Sequence, residues 1–293
     1  MSANPLDQFR KKQDFLVAID SDGCAFDTME IKHKECFIPN TVLFFGLQAV
    51  SRYGRETAEF VNLYSKWRGI NRFPALTMTL DLLRERPEVQ KRGLRVGQLD
   101  SVRDWMKRET KLGMPALQAE VERTGDPDLA RTYAWSQAVN EEIDRMVGGI
   151  PPFPFVRETL VKLSGTADII VCSATPGTAL RKEWEEHGIA SFTSAICGQE
   201  VGSKKEILAQ AMKAGFSPHN VLMIGDAPGD RSAAEGVGAH FYPVNPGDED
   251  ASWERFFAQA CDRFLEGRYD GQYAADLNAE FDAYLPETPP WKE

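Results

Sequence analysis

Positive charge is scarce in this 293-residue chain. It has 34 Lys and Arg against 44 Asp and Glu, a formal net charge of −10. That balance argues against a nucleic-acid partner, because a phosphate backbone is met by a basic surface. Long apolar runs are missing as well. None approaches the ~20 residues that span a bilayer. The opening MSANPLDQFRKKQ carries no apolar stretch of the signal-peptide kind. No membrane contact is therefore expected, and a reducing cytoplasm is the default location. The five cysteines (Cys24, Cys36, Cys172, Cys197 and Cys261) form no CxxC pair and have no histidine at metal-ligating spacing. Cys172 lies in an apolar run and reads as a small hydrophobe. Cys24 adjoins two aspartates, which do not activate a thiol. Internal repeats and low-complexity segments are absent. What remains is ordinary: 42% hydrophobic and 27% charged residues, enough for one large or two average domains.

The stretch FLVAIDSDGCAFD, residues 15–27, organises the rest. Residues 15–19 read as a short strand buried on both faces. Asp20 falls where that strand ends, and Gly23 permits a sharp turn. Side chains two apart on an extended segment share a face, so Asp20 and Asp22 can approach one reacting group. Two carboxylates so close repel, and one tends to keep its proton. A divalent cation relieves the conflict and leaves an attacking carboxylate beside a carboxylic acid. Acidic pairs also cap helices and close turns. The pair therefore gains meaning only if matching groups end other strands.

From Asn40 to about Gly148 the pattern is helical, with Trp135, Ala138, Val139 and Met146 on one face. Pro74, Pro115 and Pro127 sit near helix starts. GGIPPFPF at 148–155 reads as a return linker. Strands and helices then alternate. Strands are expected at 168–172, 194–197, 221–224 and 239–244, and helices around 156–163, 178–187 and 204–214. This alternation implies a parallel sheet with right-handed crossovers. The expected fold is α/β, a Rossmann-like parallel sheet with an inserted all-helical cap domain. The core is expected at 1–28 and 150–247, and the cap at 29–149. An apolar stripe from Trp253 to Leu265 and a helix at 272–285 are expected to pack on the core within 248–293, with a frayed end.

Strand ends thus carry Asp20 and Asp22, Ser173, and Asp226 with Asp230. Lys204 and Lys205 open a helix between the last two sets. In open α/β sheets ligands bind at the carboxyl ends of strands. Four pieces in order resemble the haloacid dehalogenase (HAD) superfamily: DSDGCAFD its first motif, Ser173 in VCSAT its second, Lys204 its third, and GDAPGD at 225–230 its acidic fourth. Cys24 departs from the Thr or Val common there.

The resemblance implies roles. Asp20 would be the nucleophile on phosphorus and Asp22 the general acid and base. Ser173 would hydrogen-bond the phosphoryl group, and Lys204 would neutralise charge. Mg²⁺ would be held by Asp20, the carbonyl of Asp22, Asp226, and Asp230 directly or through water. An acid at position 22 points to phosphate-ester hydrolysis rather than dehalogenation. From the residues alone, Ser173 also suits a turn, Asp230 an N-cap, and Lys205 rivals Lys204. His33, Arg68 and Arg72, with Lys32 and Lys66, are candidates to reach the substrate, although ordinary packing explains each. The expected activity is a Mg²⁺-dependent phosphatase on a small phosphorylated metabolite. A phosphomutase and a non-catalytic phospho-ligand-binding protein are the alternatives.

Overall fold

The computed structural model describes residues 4–292. Contacts divide the chain into two compact units: one runs up to Met29 and resumes over Gly149–Pro286, the other comprises Glu30–Gly148 with the C-terminal residues from Glu287.

The first unit is built on five parallel strands: β1 (Phe15–Ile19), β2 (Ala167–Cys172), β3 (Ala195–Cys197), β4 (Val221–Gly225) and β5 (His240–Pro243). Their order is β3-β2-β1-β4-β5. The first strand is central because it is apolar on both faces. Val17 and Ile19 enter one core with Val156, Leu160, Trp184, Leu222, Tyr242, Trp253 and Phe256. Leu16 and Ala18 enter the other with Ile207, Leu208, Met223, Phe241 and Phe281. At about 1.5–3 kcal/mol per fully buried large aliphatic side chain, Leu16, Val17 and Ile19 anchor the strand that delivers Asp20. Strand order reverses at β1, and α/β proteins bind ligands beyond the carboxyl ends of the strands at such a switch point.

Observed strands match the expected ones to within a residue or two. The stripe from Trp253 to Leu265 is helical but not uniformly α. Glu249–Arg255 passes through a π-helical turn at Phe256–Ala260 into Cys261–Leu265. Phe256, Ala260, Cys261 and Phe264 are buried along it.

The second unit is helical. Its larger helices are Ser51–Asn62, Arg72–Glu85, Asp100–Arg108, Met114–Thr124 and Pro127–Met146. Phe73, Leu80, Trp105, Leu117, Trp135 and Val139 form its core. Met146, expected on the inner face with Trp135, is 40% exposed because it ends its helix. A second correction concerns the tail. Residues 248–293 were expected to pack on the sheet, with the last few frayed. Instead residues 287–292 belong to the helical unit. Trp291 packs edge-on to Phe60 and lies under the guanidinium of Arg86, 4.3 Å from the ring centre. An aromatic face and a nearly buried cation attract each other strongly enough to order a short terminus. No helix among the described residues is long and apolar enough to cross a membrane.

Candidate active site

The first-motif loop is wound about one carbonyl. The amides of Cys24, Ala25 and Phe26 all point at Ser21 O, and Gly23 N donates to Phe26 O. Gly23 has φ +74°, a conformation that side chains with a Cβ resist. Two tryptophans brace this loop. Trp184 Nε1 donates to Ser21 Oγ at 3.0 Å, and Trp253 Nε1 to Cys24 O at 2.7 Å. The C-terminal helical segment therefore holds the site as well as covering apolar surface.

Asp20 continues β1, its amide donating to Ile224 O at 3.0 Å. Lys204 Nζ lies 2.8 Å from Asp20 Oδ2 and 2.5 Å from Asp230 Oδ1. It reaches them from the first position of its helix, Lys204–Met212. That start is set by a capping box, in which Ser203 Oγ accepts from Glu206 N and Glu206 accepts from Ser203 N. SKKE is such a box in the sequence, and it places Lys204 one position ahead of Lys205. Lys205 is exposed, its stem beside Gly236. Lys204, not its neighbour, joins the acidic groups.

Asp230 is fully buried. Its Oδ2 accepts from Ala227 N at 3.1 Å while Oδ1 takes Lys204. Asp230 is not the N-cap: Ala227 holds that place, and Asp230, the third residue of the helix Pro228–Glu235, accepts from the Ala227 amide while it also holds Lys204. Gly225 makes room for it: a Cβ there would lie 2.4 Å from Asp230 Cγ.

Burial pushes Asp20 up to about 6. Lys204 pulls it down, while Asp226 and Asp22 add to the rise. Burial likewise brings Asp230 to about 6, against Lys204. Burial opposes the charge on Lys204, but Asp20, Asp230 and Asp226 overcome it and hold the lysine well above its ordinary value. Burial also raises the Cys24 thiol well above its usual range, so it is inert.

Two residues that the sequence reading passed over grip Asp22. Thr28 Oγ1 donates to its Oδ1 at 2.5 Å and Thr175 Oγ1 to its Oδ2 at 2.6 Å. Thr175 stands two residues beyond Ser173 in VCSAT, so position in the motif was the available signal. Ser173 is 3% exposed, and its Oγ accepts from Thr175 N at 3.2 Å. The serine therefore shapes the turn that presents Thr175.

The three candidate substrate residues lie in the helical unit. Arg68 is 3% exposed and donates to Leu63 O at 2.9 Å. Its guanidinium is engaged in the turn that carries it. Arg72 donates to Ser136 Oγ at 2.9 Å and Asn140 Oδ1 at 2.7 Å, both neutral acceptors, and burial lowers it to about 10. His33 stacks on Phe37 with ring centres 4.8 Å apart, inside a π-helical turn, Lys32–Phe37.

A metal ion fits the acidic cluster. One carboxylate oxygen from each of Asp20, Asp226 and Asp230 lies within 4.8 Å of the others. Asp20 Oδ1 is buried without a hydrogen-bond donor. An all-oxygen, net-anionic donor set suits a hard divalent cation. Protons and such a cation would compete for these groups. In the metal-free protein Asp20 and Asp230 titrate near 6 against 3.8 for an ordinary aspartate. Between those values the folded chain binds more protons than the unfolded one, so their contribution to stability falls as pH rises from about 4 to 6. A cation binding the ionised form should therefore add more stability at pH 7 than at pH 5. Urea midpoints with EDTA and with Mg²⁺ at both pH values measure this. An increment independent of pH would count against these carboxylates as ligands.

Comparison with known proteins agrees with this geometry. The haloacid dehalogenase-like hydrolase family model matches residues 111–244. It therefore takes in Ser173, Lys204, Asp226 and Asp230 but not Asp20 and Asp22, which β1 brings beside them. No curated protein matches the chain. A protein of Lactobacillus delbrueckii subsp. bulgaricus named a "putative phosphoglycolate phosphatase" has a similar fold at 14% identity and TM-score 0.51, over 87% of this chain and 98% of that one. A haloacid dehalogenase-like family protein of Streptococcus pneumoniae aligns at 15% identity and TM-score 0.47, over 91% and 98% of the two chains. The haloacid dehalogenase-like hydrolase family model thus covers a little under half of the chain, and the sheet order and the order of the motifs are in keeping with it.

Proposed function

We propose that this protein is a haloacid dehalogenase-like hydrolase, a Mg²⁺-dependent phosphatase acting on a small phosphate monoester through an aspartyl-phosphate. The observation that carries the reading is Asp22, a carboxyl group two residues beyond Asp20 and held from both sides by Thr28 and Thr175. An alkoxide leaving group needs a proton at the moment the P–O bond breaks. A carboxyl fixed beside the nucleophile supplies it.

The steps balance with this chain's own groups. Asp20 attacks phosphorus, the ester P–O bond breaks, and the leaving oxygen takes the proton of Asp22. The Asp22 carboxylate then accepts a proton from water as that water attacks phosphorus. Asp20 is released with inorganic phosphate, and Asp22 is again an acid. Lys204 keeps Asp20 ionised and aimed, and opposes charge on the phosphoryl oxygens. Ser173 Oγ is assigned to one of those oxygens. Mg²⁺ held by Asp20, Asp226, Asp230 and the Asp22 carbonyl would supply the remaining positive charge. Selection among substrates is assigned to the helical unit, with His33, Arg68 and Arg72 as the residues to vary. The similar solved structure named for phosphoglycolate makes a short phosphorylated acid a sensible member of the first screen.

The test separates acid catalysis from general damage. Asp22→Asn should lower turnover of alkyl phosphates about 10²–10⁴-fold. It should slow the first step with p-nitrophenyl phosphate much less, because nitrophenolate leaves without a proton. Equal losses in that step for both substrate types would remove Asp22 from the role. A phosphomutase would return the phosphoryl group to substrate, and absence of inorganic phosphate among the products would identify one.

A further inference from the structure

Two of the chain's four histidines meet far from the acidic cluster. His219 lies in the 3-10 turn Pro218–Asn220 that leads into β4, and His240 is the first residue of β5. Asp270 precedes the helix Gln272–Tyr284. One ligand atom from each lies within 4.8 Å of the others. We propose that His219, His240 and Asp270 form a second metal site, specific for a borderline transition ion of the Zn²⁺ or Co²⁺ kind.

The donor set selects the ion class. Imidazole nitrogens suit Zn²⁺, Co²⁺ or Ni²⁺, whereas Mg²⁺ and Ca²⁺ take oxygen. Bonds of about 2.0–2.2 Å place two ligands of one ion at most ~4.4 Å apart. The observed grouping therefore needs only a small side-chain adjustment. Each of the three segments is held by its surroundings. His240 is half-buried, edge-on to Tyr269 at 5.3 Å and to Phe264 at 6.0 Å. Ring packing on two sides restricts the imidazole before any ion binds. The turn bearing His219 is tied down by Asn220 Nδ2 on Asp14 O at 3.1 Å. The segment bearing Asp270 is tied by buried Tyr269, whose hydroxyl donates to Phe241 O at 2.7 Å.

Place in the fold separates this site from catalysis. His240 is in register with Leu222, near the start of β4, while Asp226 follows that strand's last residue. The histidine cluster thus lies at the amino-terminal end of the sheet and the acidic cluster at its carboxyl end. An ion there would join three segments distant in sequence and pin the edge strand β5 to the turn before the last helix. Three protein donors leave coordination positions to water.

The experiment uses full-length protein stripped with EDTA and then held in excess Mg²⁺, which occupies the oxygen site. Titration with Co²⁺ or Zn²⁺ should show one equivalent bound, Co²⁺ absorption bands of nitrogen and oxygen ligation, and a higher melting temperature. His219→Ala removes an exposed side chain and should fold normally. It should weaken binding at least tenfold and abolish the thermal shift. His240→Gln, with its fold checked by circular dichroism, should do the same. Asp226→Asn should retain the Co²⁺ spectrum. Failure of the parent to bind a Co²⁺ equivalent in Mg²⁺, or binding unchanged in His219→Ala, overturns the site.

Discussion

Asp20→Asn is expected to cut hydrolysis of an aryl phosphate by on the order of 10³-fold or more, since no later step can replace the lost nucleophile. The substitution keeps size and shape, and Asn still offers an oxygen to Lys204, now 2.8 Å from Asp20 Oδ2. It also removes a charge that burial disfavours, as the rise of Asp20 to about 6 records. The metal-free variant should therefore be at least as stable as the parent at pH 7. Lost activity with stability kept or gained is what a functional site that costs stability produces. Comparable turnover in the variant, measured with inorganic phosphate release, would remove Asp20 from the reaction. Lost turnover accompanied by unfolding would show that the residue serves the fold.

Lys204→Met should do more harm to the fold. One ammonium group faces two buried carboxylates, at 2.8 Å from Asp20 and 2.5 Å from Asp230. Taking away one partner of a buried ion pair leaves uncompensated charge, at a cost of about 3–5 kcal/mol. The loss should depend on pH. Both carboxylates already titrate near 6 with the lysine present, and without it they titrate higher still. Near pH 5 they can take up protons and escape the penalty, whereas at pH 8 they cannot. Urea unfolding at the two pH values should therefore show a larger deficit at pH 8. Activity should fall at both. Lys205→Met is the control: its exposed head has no such partners, and stability should move by no more than about 0.5 kcal/mol. Equal behaviour of the two variants would deny Lys204 its special position.

Much of the site can be traced from the sequence because the chemistry falls at strand ends, and strand ends are visible as apolar runs stopped by polar groups. Asp20, Ser173 and Asp226 each follow such a run. Thr28 and Thr175 left no comparable trace. A threonine at a helix start or in a loop is unremarkable until a carboxylate arrives at 2.5–2.6 Å, and Asp22 meets Thr175 from 153 residues away. The two tryptophans that brace the first-motif loop are likewise ordinary core residues until their indole N–H groups find Ser21 and Cys24.

Taken alone, the order of residues determined the alternation of strands and helices after Gly149, the long helical insertion before it, and the acidic character of the candidate site. These depend on periodicity and on local steric rules, which act over a few residues at a time. Tertiary structure alone decided that Asp230 takes both the Ala227 amide and Lys204, that Trp291 packs within the helical unit on Phe60, and that His219, His240 and Asp270 come together. Such pairings join parts of the chain separated by tens to hundreds of positions. Packing of the two apolar layers around the sheet, and of the helical unit on itself, brings those parts within reach of each other.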